Sequence, residues 1–424
     1  MRWGGFVGHM SGKDVYRRVG EKIDSLQMRA PWNEHLHELL KELYTTEEAE
    51  VFCQLPASLS SLGKLVRVTK IEEARLEKIL ESLCLKGLVI DMFIGGKYRY
   101  MPSPLVIGIF EFTMMRTGEG ENSKRWAELF HHYLTDNDAF VAANYGNGQR
   151  VSPLRTLPYE GTILNEDYTE VLDYEKATAI IESATKFAVG LCSCRHEKTH
   201  LGDVCDAPLE ICTTMGKSAD YLIRNNLSRE MSKSEALENL ASSMEAGLVL
   251  NADNVKDRIT FICHCCKCCC NALAGISRFG YANAVVTSSF IAGVDEADCN
   301  SCGKCVRVCP IDAISLNSRI KPMIDQKFCL GCGVCAFKCT KNAIRLVKRA
   351  QRVLHPENTF ERVILQSLER GTLQNLLFED PHRFTPKMMN GLVGGFLRLP
   401  GIKKALMSDL LRSRFLQVIK SSQK

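Results

Sequence analysis

The chain has 424 residues, 45% apolar and 8% aromatic, which allows two or three domains and excludes a disordered polypeptide. The net charge of +5 is uneven: residues 345–424 carry 15 Lys+Arg against 6 Asp+Glu, a tail of +9 on a remainder of −4. Of twenty cysteines, Cys53 and Cys84 stand alone and eighteen fall between Cys192 and Cys339, a clustering that points to metal or redox chemistry in a reducing compartment, not to a disulfide framework.

The N-terminal stretch lacks the apolar core of a secretory signal, and no run approaches the ~18 apolar residues of a membrane-spanning helix, so a cytoplasmic location is expected. Residues 1–117 read as a first domain. Thr45 with Glu48 makes a capping box ahead of EEAEVFCQL. A helix is expected around SSLGKLVRV, and another over IEEARLEKILESLCLKGLV, where Ile71, Leu76, Ile79, Leu80 and Leu83 recur at helical spacing. VIDMFIGGKYRYM then reads as two strands turning at Gly95-Gly96. Three helices and a hairpin resemble a winged helix. The third helix carries Glu72, Glu73, Glu77 and Glu81 against Arg75, Lys78 and Lys86, a poor face for phosphates, so docking is preferred to DNA binding. Cys53 and Cys84 are expected to be buried thiols on these helices.

GEGENSK, from Gly118, marks a boundary. A helical central domain is expected over 123–288, with an amphipathic helix at WAELFHHYL, loops over 140–165, and a helix capped by Ser232 and Glu235 that ends near Gly247. Its first cysteine group, GLCSCRHEKTHLGDVCDAPLEIC, holds Cys192, Cys194, Cys205 and Cys212. Four unevenly spaced thiolates suit one cluster, with Arg195 available to hydrogen-bond a sulfur or balance charge. His196 and His200, four apart, leave a zinc alternative, and plain structural thiols are a third reading.

The second group, CHCCKCCC, holds Cys263, Cys265, Cys266, Cys268, Cys269 and Cys270. Neighbours in an extended chain point to opposite faces, so Cys265 and Cys266 cannot grip one object unless the backbone turns. A division of labour is expected, with some thiolates on one centre and the rest on another or on none. Ten central thiols suffice for two cubanes with two spares, or for one larger, non-cubane centre. The dense CC pattern resembles that of heterodisulfide-reductase-like proteins, which implies a non-cubane centre, although Lys267 and Asn271 depart from that family's CCG form.

Residues 289–348 contain an internal repeat. CNSCGKCVRVCPIDAISL starts at Cys299 and CLGCGVCAFKCTKNAIRL at Cys329, each spaced C-x2-C-x2-C-x3-C, the bacterial ferredoxin run in which the fourth cysteine serves the other cluster. Cys299, Cys302, Cys305 and Cys339 are therefore expected to hold one [4Fe–4S] cluster, and Cys329, Cys332, Cys335 and Cys309 the second. Gly303 and Gly333 let backbone N–H groups approach the sulfurs, Pro310 follows the first run, and Thr340 replaces proline after the second. A tetrathiolate zinc site fits two C-x2-C pairs but not this doubled pattern. Residues 290–348 resemble the two-cluster bacterial ferredoxins, which implies one-electron transfer at low potential. The order CxCR, CHCCKCCC, ferredoxin repeat, over about residues 40–350, resembles ferredoxin-domain proteins of anaerobes and brings an architecture without a substrate.

Residues 349–424 form a basic, apolar helical tail, broken by Gly394-Gly395 and Pro400. It is expected to pack on the protein's own core or a partner, with peripheral membrane contact as the alternative. There is no Walker loop and no dinucleotide fingerprint; NYGNGQ is only a weak phosphate candidate. The expected fold class is α+β: a winged-helix-like domain, a mainly helical cysteine-rich centre, a ferredoxin-like domain and a helical tail. The expected function is iron–sulfur electron transfer, through two [4Fe–4S] clusters and one or two further central Fe–S centres, to a partner oxidoreductase within a complex. An oxidoreductase with a catalytic centre at the central cysteines, and a redox-responsive DNA-binding regulator, are the alternatives. No catalytic residue is assigned; Arg195, His196 and His264 are the nearby candidates.

Overall fold

The computed structural model describes residues 14–116, 121–168, 171–203, 205–350, 353, 355–377, 391, 393–397 and 399–422. The first thirteen residues, the boundary at Gly118 and the start of the tail at 387–390 lie outside the described residues. Two compact units form, one from segments 14–113, 121–144 and 364–422, the other from 114–116 and 145–363.

The first unit is mostly helical. Asp14 caps the helix Val15–Asp24 by accepting from the N–H groups of Tyr16 and Arg17. The Thr45–Glu48 capping box closes in both directions at the start of Thr46–Gln54. β1 (Ser60–Ser61) leads into the helix Leu62–Thr69, and the helix Glu73–Leu85 buries Leu76, Ile79, Leu80 and Leu83 on one face. β2 (Val89–Ile94) and β3 (Lys97–Pro102) pair around Gly95 and Gly96, both at positive φ, and β1 pairs onto β3. The exposed face of Glu73–Leu85 keeps its acidic excess, and Arg75 is paired with Glu47 at 2.5 Å. Cys84 is buried, whereas Cys53 is half-buried. Tail helices Leu373–Leu377, Pro400–Leu406 and Asp409–Ser422 belong to this unit, and the first of them is tied to the end of the helix Val15–Asp24 by Asn375 Nδ2 donating to Ser25 O at 3.0 Å. No helix among the described residues is long and apolar enough to cross a membrane.

The second unit keeps the helices expected at the centre but packs them on a sheet that the sequence did not announce. It is built on a six-stranded antiparallel sheet in the order β4-β8-β9-β6-β5-β7. The strands are β4 (Leu154–Leu157), β5 (Phe187–Leu191), β6 (Glu210–Met215), β7 (Arg229–Met231), β8 (Val249–Asp253) and β9 (Phe261–Cys265). None exceeds six residues, and four of them are buried along nearly their whole length. Strands covered on both faces lose the apolar–polar alternation that announces a strand, so only the capped helices were conspicuous. The 140–165 segment, read as loop, also holds the helix Ala139–Tyr145 and β4. The helix Lys233–Glu245 forms as its capping box requires and packs across β5 and β6, with Asn239 Nδ2 donating to Ile211 O at 2.7 Å.

The same unit carries the repeat. β10 (Phe290–Val294), a turn of helix at Lys304–Val308 and β11 (Ile314–Leu316) are followed by β12 (Pro322–Ile324), Val334–Phe337 and β13 (Ile344–Lys348). β10 pairs with β13 and β11 with β12, so the halves interlock. Left-handed residues fall at equivalent places in both halves: Ser301 and Gly331, Gly303 and Gly333, Asp312 and Asn342. Only glycine fits at Gly331, where a Cβ would lie 2.1 Å from Phe290 O.

Candidate metal centres

The repeat assembles two cysteine quartets, each around a cavity. Cys299, Cys302, Cys305 and Cys339 line one; Cys309, Cys329, Cys332 and Cys335 line the other. Each run thus sends its fourth cysteine across to the partner quartet. Ala343 and Ile344 cover the first cavity, Ala313 and Ile314 the second. Ser301 N donates to Cys299 Sγ at 3.4 Å and Ala313 N to Cys309 Sγ at 3.2 Å, the bonds that hold a thiolate without a competing cation. Burial pushes the Cys332 thiol up to about 12 and the Cys335 thiol well above its ordinary range, so both ionise readily only beside a positive centre. Donor set, cavity and N–H···S bonds together fit a [4Fe–4S] cluster in each quartet.

The quartets differ in exposure. All four sulfurs of the second are buried, whereas Cys302 of the first is exposed and Cys299 and Cys339 are half-buried. Leu316 and Ile320 line the first cavity and, with nearby Met323, are 40–56% exposed.

The ten central cysteines come together in two groups that cut across the sequence motifs. The first holds six: Cys192, Cys194, Cys212, Cys263, Cys265 and Cys270. The Thr213↔Ile262 register of β6 and β9 sets Cys212 against Cys263, and Cys265, two residues on, shares that face. Cys192 follows β5 just beyond an irregularity at Gly190/Leu191, and Gly190 is itself paired with Cys212. Cys194 lies in the first turn of the helix Ser193–His200, and Cys270 occupies the N-cap position of the helix Asn271–Ser277. Two sets of neighbouring thiols run through the group, Cys192 with Cys212 with Cys263, and Cys194 with Cys270 with Cys265. Hydrogen bonding to Cys212 and then burial hold the Cys192 proton tightly; Cys194 is held likewise by Cys270.

The second group is Cys205, Cys266, Cys268 and Cys269, with all four sulfurs within 4.8 Å of one another. Cys268 Sγ is 3.3 Å from Cys205 Sγ and 3.5 Å from Cys269 Sγ. The Cys269 hydrogen bond and, against the opposing effect of burial, the charge of Arg195 hold the Cys266 thiol well below its ordinary range. Cys205 therefore leaves the quartet its motif suggested, and CHCCKCCC divides as expected, with Cys265 in one group and Cys266 in the other.

Arg195 lies between the groups and is buried. It donates to His264 O at 2.9 Å and to Pro208 O; burial alone would lower its pKa, but Cys192, Cys266 and Cys212 outweigh it. The histidines stand apart from the sulfurs. His196 Nδ1 meets Met114 O at 2.6 Å and His200 Nε2 meets His196 Nε2 at 3.0 Å. His264 meets Thr213 Oγ1 at 3.1 Å, and burial lowers its pKa to about 3. Sequence reasoning missed Glu197, fully buried beside Cys194, which accepts from Lys198 Nζ at 2.9 Å and Asn271 Nδ2 at 2.6 Å. Its position three residues after Cys194 was the available signal. It also missed the surface trio His35, His132 and Asp136 on the other unit.

Tyr159 ties the repeat to the sheet. Its N–H donates to Cys332 O at 3.0 Å, its hydroxyl donates to Leu248 O at 2.5 Å, and the next residue, Val249, pairs with Cys265. Lys267 forms an ion pair with Asp312 alongside.

Residues 298–343 match the family model of the 4Fe-4S dicluster domain, and the match together with the clustered cysteines supports an iron–sulfur, electron-transfer role. No curated protein and no solved structure matches the chain.

Proposed function

We propose that the protein is an iron–sulfur electron-transfer protein, or a subunit of an oxidoreductase complex, with two [4Fe–4S] clusters in the repeat and a further Fe–S centre at the six-thiol group. The observation that carries this reading is the Cys332–Tyr159–Leu248–Val249–Cys265 connection, which joins the buried quartet to the six central thiols through two hydrogen bonds and one strand pair. Bound clusters supply reversible one-electron chemistry at potentials set by ligation, burial and hydrogen bonds to sulfur. The chain supplies the order: an exposed quartet with Leu316, Ile320 and Met323 around it for a redox partner, a buried quartet behind it, and the six thiols beyond Tyr159. Six sulfurs exceed the four of a cubane, which favours a non-cubane centre there.

The winged-helix-like segment serves in docking. Its third helix presents Glu72, Glu73, Glu77 and Glu81, and its hairpin tip presents Phe93 and Tyr98, an edge-on ring pair 5.2 Å apart. Phosphate backbones need the opposite charge.

Iron and acid-labile sulfide in anaerobically purified protein test the reading. More than about eight irons per chain are expected, because two cubanes account for about eight. About eight, with the six central thiols open to alkylation, would refute the third centre.

A catalytic centre at the same thiols is the second reading, favoured by Glu197, a buried carboxylate held beside Cys194 by Lys198 and Asn271. Glu197→Gln should then abolish turnover while the iron content stays unchanged; unchanged turnover, or none in the wild type with any thiol or disulfide substrate, returns the site to electron transfer alone.

A further inference from the structure

We infer that Cys205, Cys266, Cys268 and Cys269 form a single-ion zinc site, separate from the iron centres, that staples the Cys205 loop to the turn after β9. A zinc ion with four thiolates at ~2.3 Å sets its sulfurs ~3.8 Å apart along the edges of a tetrahedron. The quartet has sulfur separations of 3.3 and 3.5 Å and no pair beyond 4.8 Å. A cubane places four irons and four sulfides between its thiolates and so holds them farther apart; the two repeat quartets each line a cavity. Four sulfurs closed on one another are the donor set and spacing of a structural zinc site.

The surroundings agree. Cys268 is exposed and Cys205 half-buried, while Cys266 and Cys269 are buried, so the site reaches the molecular surface, where a free Cys268 thiol would be open to oxidation. Binding converts the thiols to thiolates and releases their protons to solvent; no electron is exchanged. The site then carries a net charge of −2, and Arg195, hydrogen-bonded to Cys266, offsets part of it. Cys265 and Cys266 belong to different groups, as do Cys269 and Cys270, so fixing one quartet fixes the backbone that aims Cys265 and Cys270 into the six-thiol group. This inference deepens the proposed function by assigning four of the ten central thiols to zinc. It does not depend on what the repeat quartets hold.

The test is zinc and iron per chain in anaerobically purified full-length protein, with X-ray absorption at the zinc edge. One zinc with four sulfurs at ~2.3 Å is expected. Cys205→Ser combined with Cys268→Ser should lose that zinc and keep the iron, whereas Cys302→Ala should lose iron and keep the zinc. Absence of zinc, a shell containing nitrogen or oxygen, or a loss of about four irons from the Cys205/Cys268 variant would overturn the assignment, the last by making the quartet a cubane site. If that variant does not fold, cobalt loaded into the wild-type chain decides: tetrahedral thiolate absorption supports the site, and octahedral cobalt refutes it.

Discussion

Each repeat quartet draws its four cysteines from one short run plus a single residue of the other, all within residues 299–339, and Ser301, Gly303, Gly331 and Gly333 bend both loops alike. The central sulfurs come instead from strand ends and loops between residues 192 and 270, brought together by the β5–β6–β9 pairing. One region encodes its metal geometry locally. The other encodes it in strand register, and a spacing pattern carries no trace of that. The difference predicts which substitutions act on one centre and which spread.

Whole centres are the largest effects. Cys302→Ala should remove about four irons per chain and one low-potential signal, leaving the central centre in place. Cys212→Ala should do the reverse, removing the iron of the six-thiol group while both ferredoxin signals persist; quantitative electron paramagnetic resonance of the reduced protein reads both. If either substitution empties both regions, the comparison fails.

Glycines sharpen the comparison at the next level. Gly331 has φ +69°, and an added Cβ would meet backbone oxygen, so Gly331→Ala should cost about 3 kcal/mol or more and lower the temperature at which cluster absorption is lost. Gly95 has φ +62° in open space, and Gly95→Ala should cost only about 1 kcal/mol, read as a small shift in thermal unfolding.

Tyr159→Phe removes the hydroxyl bonded to Leu248 and keeps the ring beside Phe337. A loss of about 1 kcal/mol in denaturant unfolding is expected. Slower electron equilibration between the repeat and the central centre should follow if the connection carries function. The smallest effect belongs to Lys267→Ala: both partners of the Lys267–Asp312 pair are largely exposed, so stability should change by less than about 0.5 kcal/mol.

Parts of the molecule that depend on neighbours in sequence were readable in advance. The Thr45 and Ser232 capping boxes, the Gly95-Gly96 hairpin and the eight repeat cysteines each rest on contacts within a few residues or on a doubled motif. The central sheet was not readable, because its strands are short and four of the six are buried along nearly their whole length. The division of CHCCKCCC was expected, but its partners were not: Cys205 sits seven residues from Cys212 in the chain and joins a different group, because the loop after His200 carries it to the turn after β9 while Cys212 stays on β6.

The sequence by itself determined the ferredoxin repeat, since a cluster that takes three ligands from one turn needs those cysteines at fixed small separations. The tertiary structure alone decided how ten central thiols become a group of six and a group of four. Those sulfurs meet across strands, where proximity follows from hydrogen-bond register and not from distance along the chain.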